Sequence, residues 1–274
     1  MAAGGGQLEV QAATVQAATR GDSQALQALL ASLQGPIYNL SLRMLASRED
    51  AEEASQEALL RVVTHLGSFR GEARFSTWAW SVSTRVVLEY RRRRARRPIP
   101  IEAYEADLAD GLDAAAVERP EDRVLIQQVK LGCSRAMLQC LDDEHRLAYV
   151  LGTILEVPGP EAAAALGLSA AAYRKRLSRA RTSVAANLQR VCGVVNPAAA
   201  CRCHKRVRPA RRLGRLDAAD AADAADGLDL PTLRRQLAGI EALQRDRAFY
   251  GADPMAAPAP ALLDRVRQAL GMSA

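Results

Sequence analysis

Apolar residues recur along this chain at the three- and four-residue spacing of helical faces. Leu26, Leu29, Leu30 and Leu33 form a first stripe, which Asp22 or Ser23 can cap. Gly35-Pro36 should break that helix, and Ile37, Leu40, Met44 and Leu45 resume the pattern. In the next helix Leu59, Val62, Val63 and Leu66 share one face, with Asp50, Glu53 and Glu57 opposite. Phe69-Arg70-Gly71-Glu72-Ala73-Arg74-Phe75 follows as a polar, glycine-containing aromatic loop. A further helix should start near Ser76 or Thr77, turn Trp78, Val82 and Val86 inward, and end in arginines 91 to 94, 96 and 97.

Pro98-Ile99-Pro100 marks a boundary, after which the chain turns acidic and weakly hydrophobic, the composition of a solvated tether. Helical spacing returns with Val124, Leu125, Val129, Leu131 and Leu138. Asp142 or Asp143 can cap a helix from His145 to Glu156. A short alanine helix to Leu166, the turn Gly167-Leu168-Ser169 and a basic helix from Ala170 make a helix-turn-helix pattern. Tyr173, Leu177, Ala180 and Val184 form that last helix's inward stripe. Farther on, Asp217 to Asp226 repeats Asp-Ala-Ala and reads as a second tether. Leu233, Leu237, Ile240 and Leu243 share a face within a helical piece from Leu230 to Phe249, and a short helix ends at Leu270.

The expected fold is all-α: two small helical domains joined by a flexible linker, plus a partly helical C-terminal extension. The boundaries fall at 1–21 (flexible), 22–97 (first domain), 98–120 (linker), 121–190 (second domain) and 191–274 (extension).

Composition supports this reading. The chain is 49% hydrophobic but only 4% aromatic, and alanine-rich sequence favours helices over strands. A net charge of +6, carried mostly by clustered arginine, points to a nucleic-acid partner. No apolar run approaches the ~20 residues of a membrane span, and Met1 to Val10 lacks a signal-peptide pattern. A cytoplasmic location is expected. His65, His145 and His204 are scattered, and Gly4-Gly5-Gly6 precedes no phosphate loop. No catalytic constellation emerges, so the chain is not expected to be an enzyme.

Six arginines between Arg91 and Arg97 suit phosphate contacts, with Arg91, Arg92 and Arg93 leading the run. Phe69, Phe75 and Trp80 are the candidates for stacking on unpaired bases, with Arg70 and Arg74 beside them. Trp78 shares the apolar stripe and is assigned to the core. In the helix-turn-helix, Ser169, Arg174, Lys175, Arg176, Ser178 and Arg179 are the DNA candidates, with Arg174 and Lys175 early enough to reach base edges.

Asp-Ala-Glu-Glu-x-x-Gln-Glu, then Phe-Arg-Gly-x-x-x-Phe-Ser-Thr-Trp, then the arginine run, resembles the second conserved region of bacterial sigma factors. The likeness is to the extracytoplasmic-function (ECF) class of the sigma-70 family. Ala-Leu-Gly-Leu-Ser-x-x-x-Tyr-Arg-Lys-Arg-Leu-Ser-Arg-Ala-Arg resembles the fourth region, which reads the −35 element. The likeness covers roughly residues 22 to 190. It implies a subunit of RNA polymerase that directs promoter-specific initiation. Asp50, Glu53, Gln56 and Glu57 would contact core RNA polymerase on the clamp helices of its largest subunit, the second domain would face the flap, and Phe69 to Trp78 would handle the melted −10 strand. Promoter DNA is the second partner, and an anti-sigma factor is a candidate third that the residues neither require nor exclude. Two departures are Thr84-Arg85 where the family often has Arg-Asn, and Ala162 where it has isoleucine.

Five cysteines in a reducing compartment leave metal binding or free thiols. Cys192, Cys201, Cys203 and His204 form a ligand set for zinc or reduced copper, with Cys133 or Cys140 able to supply the fourth ligand instead. No cofactor is required by the promoter-reading function. The alternative is a helix-turn-helix regulator with a metal-sensing cysteine tail, which would have no need of the Asp50-to-Trp78 stretch.

Overall fold

The computed structural model describes residues 8, 10–216, 218–226, 230–238 and 244–272. Its helices are α1 (Ala12–Thr19), α2 (Ser23–Leu45), α3 (Arg48–Thr64), α4 (Phe75–Arg93), α5 (Ile101–Ala109), α6 (Arg123–Leu138) and α7 (Asp143–Tyr149). There follow α8 (Gly159–Ala165), α9 (Ala170–Val191), α10 (Cys203–Arg212), α11 (Ala218–Asp226), α12 (Leu230–Ala238), α13 (Arg245–Gly251) and α14 (Ala261–Ala269). Among the described residues the fold is all-α, and its only extended pairing is one isolated bridge, Cys192 to Cys201. No described helix is long and apolar enough to cross a membrane.

Two compact units emerge, each assembled from separated stretches. The first holds the chain up to Arg96, Leu147–Leu177 and the residues from Met255 onward. The second holds Arg97–Arg146 and Ser178–Pro254.

In the first unit Asp22 caps α2 by accepting from the Ala25 N–H at 2.9 Å. Gly35-Pro36 does not break α2, contrary to the sequence expectation. Leu29, Leu30 and Leu33 before the proline and Ile37, Leu40, Met44 and Leu45 after it are all fully buried. Packing on both sides outweighs the one amide donor that proline removes. Within residues 1–21, expected to be flexible, Ala12–Thr19 forms α1, which packs on α2 with Val15 and Ala18 buried. Helix α4 begins at Phe75 with no side-chain cap, and its inward face is Ala79, Trp80, Ser83, Val86, Val87 and Tyr90. Trp78 is half-buried, roughly 140° around the helix from the centre of that face. Helix α8 leads through Gly167, whose φ of 65° is left-handed, into α9. The Ser169 hydroxyl caps α9 by accepting from the Ala172 N–H at 3.2 Å.

The second unit contains the acidic stretch expected to be a tether. Instead it forms α5, with Tyr104 and Leu108 buried. Its carboxylates find arginines far along the chain: Glu102 and Glu105 meet Arg190 at 3.1 and 2.6 Å, and Asp107 meets Arg215 at 2.7 Å. Arg206, itself buried, donates to the carbonyls of Asp107, Leu108 and Asp110 at 2.9, 3.2 and 2.8 Å and so closes the end of α5. The Asp-Ala-Ala repeat likewise forms a packed helix, α11, which lies on α6 with Ala224 buried and Asp220 paired to Arg135 at 2.7 Å. Lys130 of α6 pairs with Asp253 and donates to the Phe249 carbonyl at 3.0 Å. Leu233 and Leu237 are buried on α12, whereas Ile240 and Leu243 lie outside the described residues.

Candidate nucleic-acid and protein interface

The carboxylates of α3 meet the arginine-rich end of α4. Asp50 is 6% exposed; it accepts from the Tyr90 hydroxyl at 3.0 Å and pairs with Arg96. Glu53 accepts from the Tyr90 hydroxyl at 2.6 Å and pairs with Arg94 at 3.0 Å. That hydroxyl contact, followed by Arg94, holds the Glu53 carboxyl below its ordinary range. Burial and the Glu53 contact push the Tyr90 phenol up to about 12. Glu57 pairs with Arg93 and with Arg61 at 3.3 Å. Glu53 is exposed and Gln56 and Glu57 are partly so, but Asp50 is buried in this knot and is not an open contact.

The loop aromatics cluster as one group. Phe69 meets Phe75 edge-on at 5.4 Å, and Trp78 lies 5.7 and 5.6 Å from the two rings. Phe69 and Trp78 keep part of their surface in solvent, whereas Phe75 is 8% exposed. Trp80 is fully buried and has no face to offer a base. The assignment of the two tryptophans is therefore reversed: Trp80 is core and Trp78 belongs with the loop. Serines supplied the missed signal, because Ser83 buries by donating to the Ala79 carbonyl at 2.8 Å and carries the inward face past Trp80.

The arginine run also divides. Arg91 is 1% exposed and donates to the Met44 carbonyl at 3.3 Å, so it is structural rather than a phosphate contact. Arg93, Arg94 and Arg96 hold the α3 carboxylates, which leaves Arg92 and Arg97 exposed and, among the described residues, without an ion pair. Arg70 and Arg74, beside the aromatic cluster, are exposed and unpaired as well. On α9, Arg174, Lys175, Ser178 and Arg179 are exposed and Arg176 is half-buried. Tyr173, Ala180 and Val184 are buried on its other side.

Residues 29–97 match the sigma-70 region 2 family model. Over 178 residues the chain is 26% identical to the RNA polymerase sigma-H factor of Pseudomonas aeruginosa, covering 64% of this chain and 92% of that one. Over 177 residues it is 27% identical to the ECF RNA polymerase sigma factor SigW of Bacillus subtilis, covering 62% and 92%. The chain thus carries a sigma-70 region 2 and is similar over nearly two thirds of its length to ECF sigma factors. A solved structure of CnrH in complex with the cytosolic domain of CnrY is also similar, at 22% identity and a TM-score of 0.48, covering 65% of this chain and 96% of the matched one. The matched region 2 takes in α3, the aromatic loop, α4 and the arginine run.

Four of the chain's cysteines converge in the second unit. Cys133 from α6 and Cys192, Cys201 and Cys203 line one cavity of about 30 Å³. Burial, reinforced by Cys201 and Cys192, pushes the Cys133 thiol up to about 12. Burial, then Cys192, pushes Cys201 up to about 11. Gly193 lets these segments meet: a Cβ there would stand 2.0 Å from the Cys201 carbonyl oxygen. His204 does not join the thiols. It lines a different cavity beside Arg234, and its Nδ1 lies 3.6 Å from Glu118. Cys133, which the fold brings across from α6, stands with the thiols instead. Among the described residues no group of three or more Cys, His, Asp or Glu side chains is set to hold a metal ion as the chain stands.

Proposed function

We propose that this sigma factor directs core RNA polymerase to promoters with two separate readers. Docking on the clamp helices falls to the solvent side of α3, through Glu53, Gln56 and Glu57. The −10 strand is opened and held by Phe69 and Trp78, with Arg70, Arg74 and Arg92 on its phosphates. The −35 duplex is read by Arg174, Lys175 and Arg179 of α9, with its domain toward the flap. The observation that carries this reading is the half-open Phe69–Phe75–Trp78 cluster, rimmed by unpaired arginines, inside the stretch that matches region 2. Aromatic faces accept any unpaired base, and free guanidiniums supply the backbone charge. Run-off transcription with purified core polymerase tests it. Promoter-dependent transcripts should require the chain and be lost with Trp78→Ala, and transcripts of equal yield from that variant would overturn the strand-holding role.

The thiol cavity supports a metal-responsive element as part of the same protein. Zinc, copper in its reduced state or cadmium would be taken by Cys133, Cys192, Cys201 and Cys203, once the thiols are deprotonated and drawn together. Titration of each metal into the apo-protein should show binding that a Cys133→Ser variant weakens and a His204→Ala variant does not. Equal affinity for the Cys133→Ser variant would remove Cys133 from the set.

A further inference from the structure

The C-terminal residues of the first unit lie on the acidic helix. Helix α14 packs on α3 and α2, with Leu262 and Val266, one turn apart, fully buried. Between them Arg265 donates to the Gln56 side-chain oxygen at 3.3 Å and pairs with Glu52 at 2.9 Å. Just upstream, the Asn39 amide donates to the Ala256 carbonyl and the Ala256 N–H donates back to the Asn39 oxygen, both at 2.9 Å. Ala256 also packs with Tyr38, Leu42 and Ala51. Asp50, Glu53 and Glu57 are held by arginines at or just beyond the end of α4, so α14 takes the remaining member of the docking set, Gln56.

We propose that Met255–Met272 is an intramolecular cap that competes with core RNA polymerase for α3. The proposal rests on the docking reading given above and adds its regulation. Gln56 and Glu52 cannot be offered to another protein while Arg265 and the apolar side of α14 occupy that flank. The grip is suited to release. At nine residues, α14 is too short to persist alone in water, so it forms only while docked. Pro254, Pro258 and Pro260 punctuate the segment that delivers it, which stiffens the connection without extending the helix. Its one ion pair is partly solvated, with side-chain exposures of 39% and 28%, and such pairs contribute little. Tethering in the same chain makes so weak a contact effective, and a larger partner surface can still displace it.

The test is the affinity of the full chain for purified core polymerase. Arg265→Glu should bind roughly two- to fivefold tighter, the worth of a partly exposed pair. Leu262→Glu with Val266→Glu should free α14 altogether and tighten binding by about tenfold or more, because the competent fraction rises. Glu53→Lys is the control for the dock itself, since the Glu53 carboxylate is engaged by Tyr90 and Arg94 rather than by Arg265. If Glu53→Lys weakens binding while neither α14 variant tightens it, the cap is wrong and the dock stands. If Glu53→Lys binds as the parent does, the docking reading fails first. Circular dichroism of each variant shows whether the fold survives. Arg265→Glu, altering only a partly solvated side chain, keeps the question decidable if the double glutamate variant does not fold.

Discussion

The acidic face of α3 and the basic start of α9 carry opposite charges, and the fold treats them in opposite ways. On α3, Asp50, Glu53 and Glu57 each hold an arginine at or just beyond the end of α4. On α9, Arg174, Lys175 and Arg179 stand exposed with no carboxylate in reach among the described residues. A polyanion can land on α9 without undoing anything, so charge there converts directly into affinity and salt dependence. A protein that docks on α3 must exchange existing pairs for its own. Exchange contributes little net affinity and much selectivity, because a partner lacking the right donors leaves carboxylates stranded.

The largest expected effect lies on α4, which carries both kinds of side chain. Trp80→Ala should lower stability by about 3–5 kcal/mol, the cost of removing a fully buried aromatic, as read by urea denaturation. Trp78→Ala should cost far less and act on promoter opening instead. A mild Trp80→Ala would break the division between structural and partner-facing residues.

On α9, Arg174→Ala and Lys175→Ala should each lose roughly 1–3 kcal/mol of discrimination at the −35 element, measured on wild-type and mismatched duplexes. Thermal stability should stay within about 0.5 kcal/mol, since neither side chain is engaged. A smaller contrast separates two neighbours in the arginine run. Arg92→Ala should reduce the slope of log affinity against log salt by about one, whereas Arg93→Ala should change it less, because Arg93 already holds Glu57. Equal slopes would show that the α3 pairs open freely on DNA.

The smallest effect is the pH response of the α3–α4 knot. The Tyr90 phenol is raised from 10.0 to about 12, so its contribution is whole below pH 10 and fades as pH rises through 12. Glu53 is lowered from 4.5, so its contribution is whole above that value and fades as pH falls through the lowered one. Between these limits the knot should be indifferent to pH. Phenolate absorbance compared with a Tyr90→Phe variant checks the upper limit, and a Tyr90 midpoint near 10 would contradict the geometry.

Residue order alone made much of this legible. The leucine stripe of α2, the helix-turn-helix and the aromatic loop follow from local spacing, which three to eleven residues suffice to display. Long-range contacts defeated the rest. The acidic stretch of α5 reads as solvated because its arginines, Arg190, Arg206 and Arg215, lie about a hundred residues away. Cys133 replaces His204 beside the thiols for the same reason: adjacency in sequence placed His204 near Cys203, and packing turned it elsewhere. The tryptophans were exchanged because apolarity alone located the inward face of α4, while buried serine and threonine carried much of it.

The paired hydrogen bonds between Asn39 and Ala256 span 217 residues of chain. A ribosome adding about 5–20 residues per second needs roughly 10–40 s to travel that distance. For most of that interval α2 and α3 have been synthesised but Ala256 and α14 have not. A newborn molecule therefore passes through a period in which Tyr38, Leu42 and the Glu52–Gln56 flank have no cover. Where the chain is cut ahead of Met255, that fleeting condition becomes permanent.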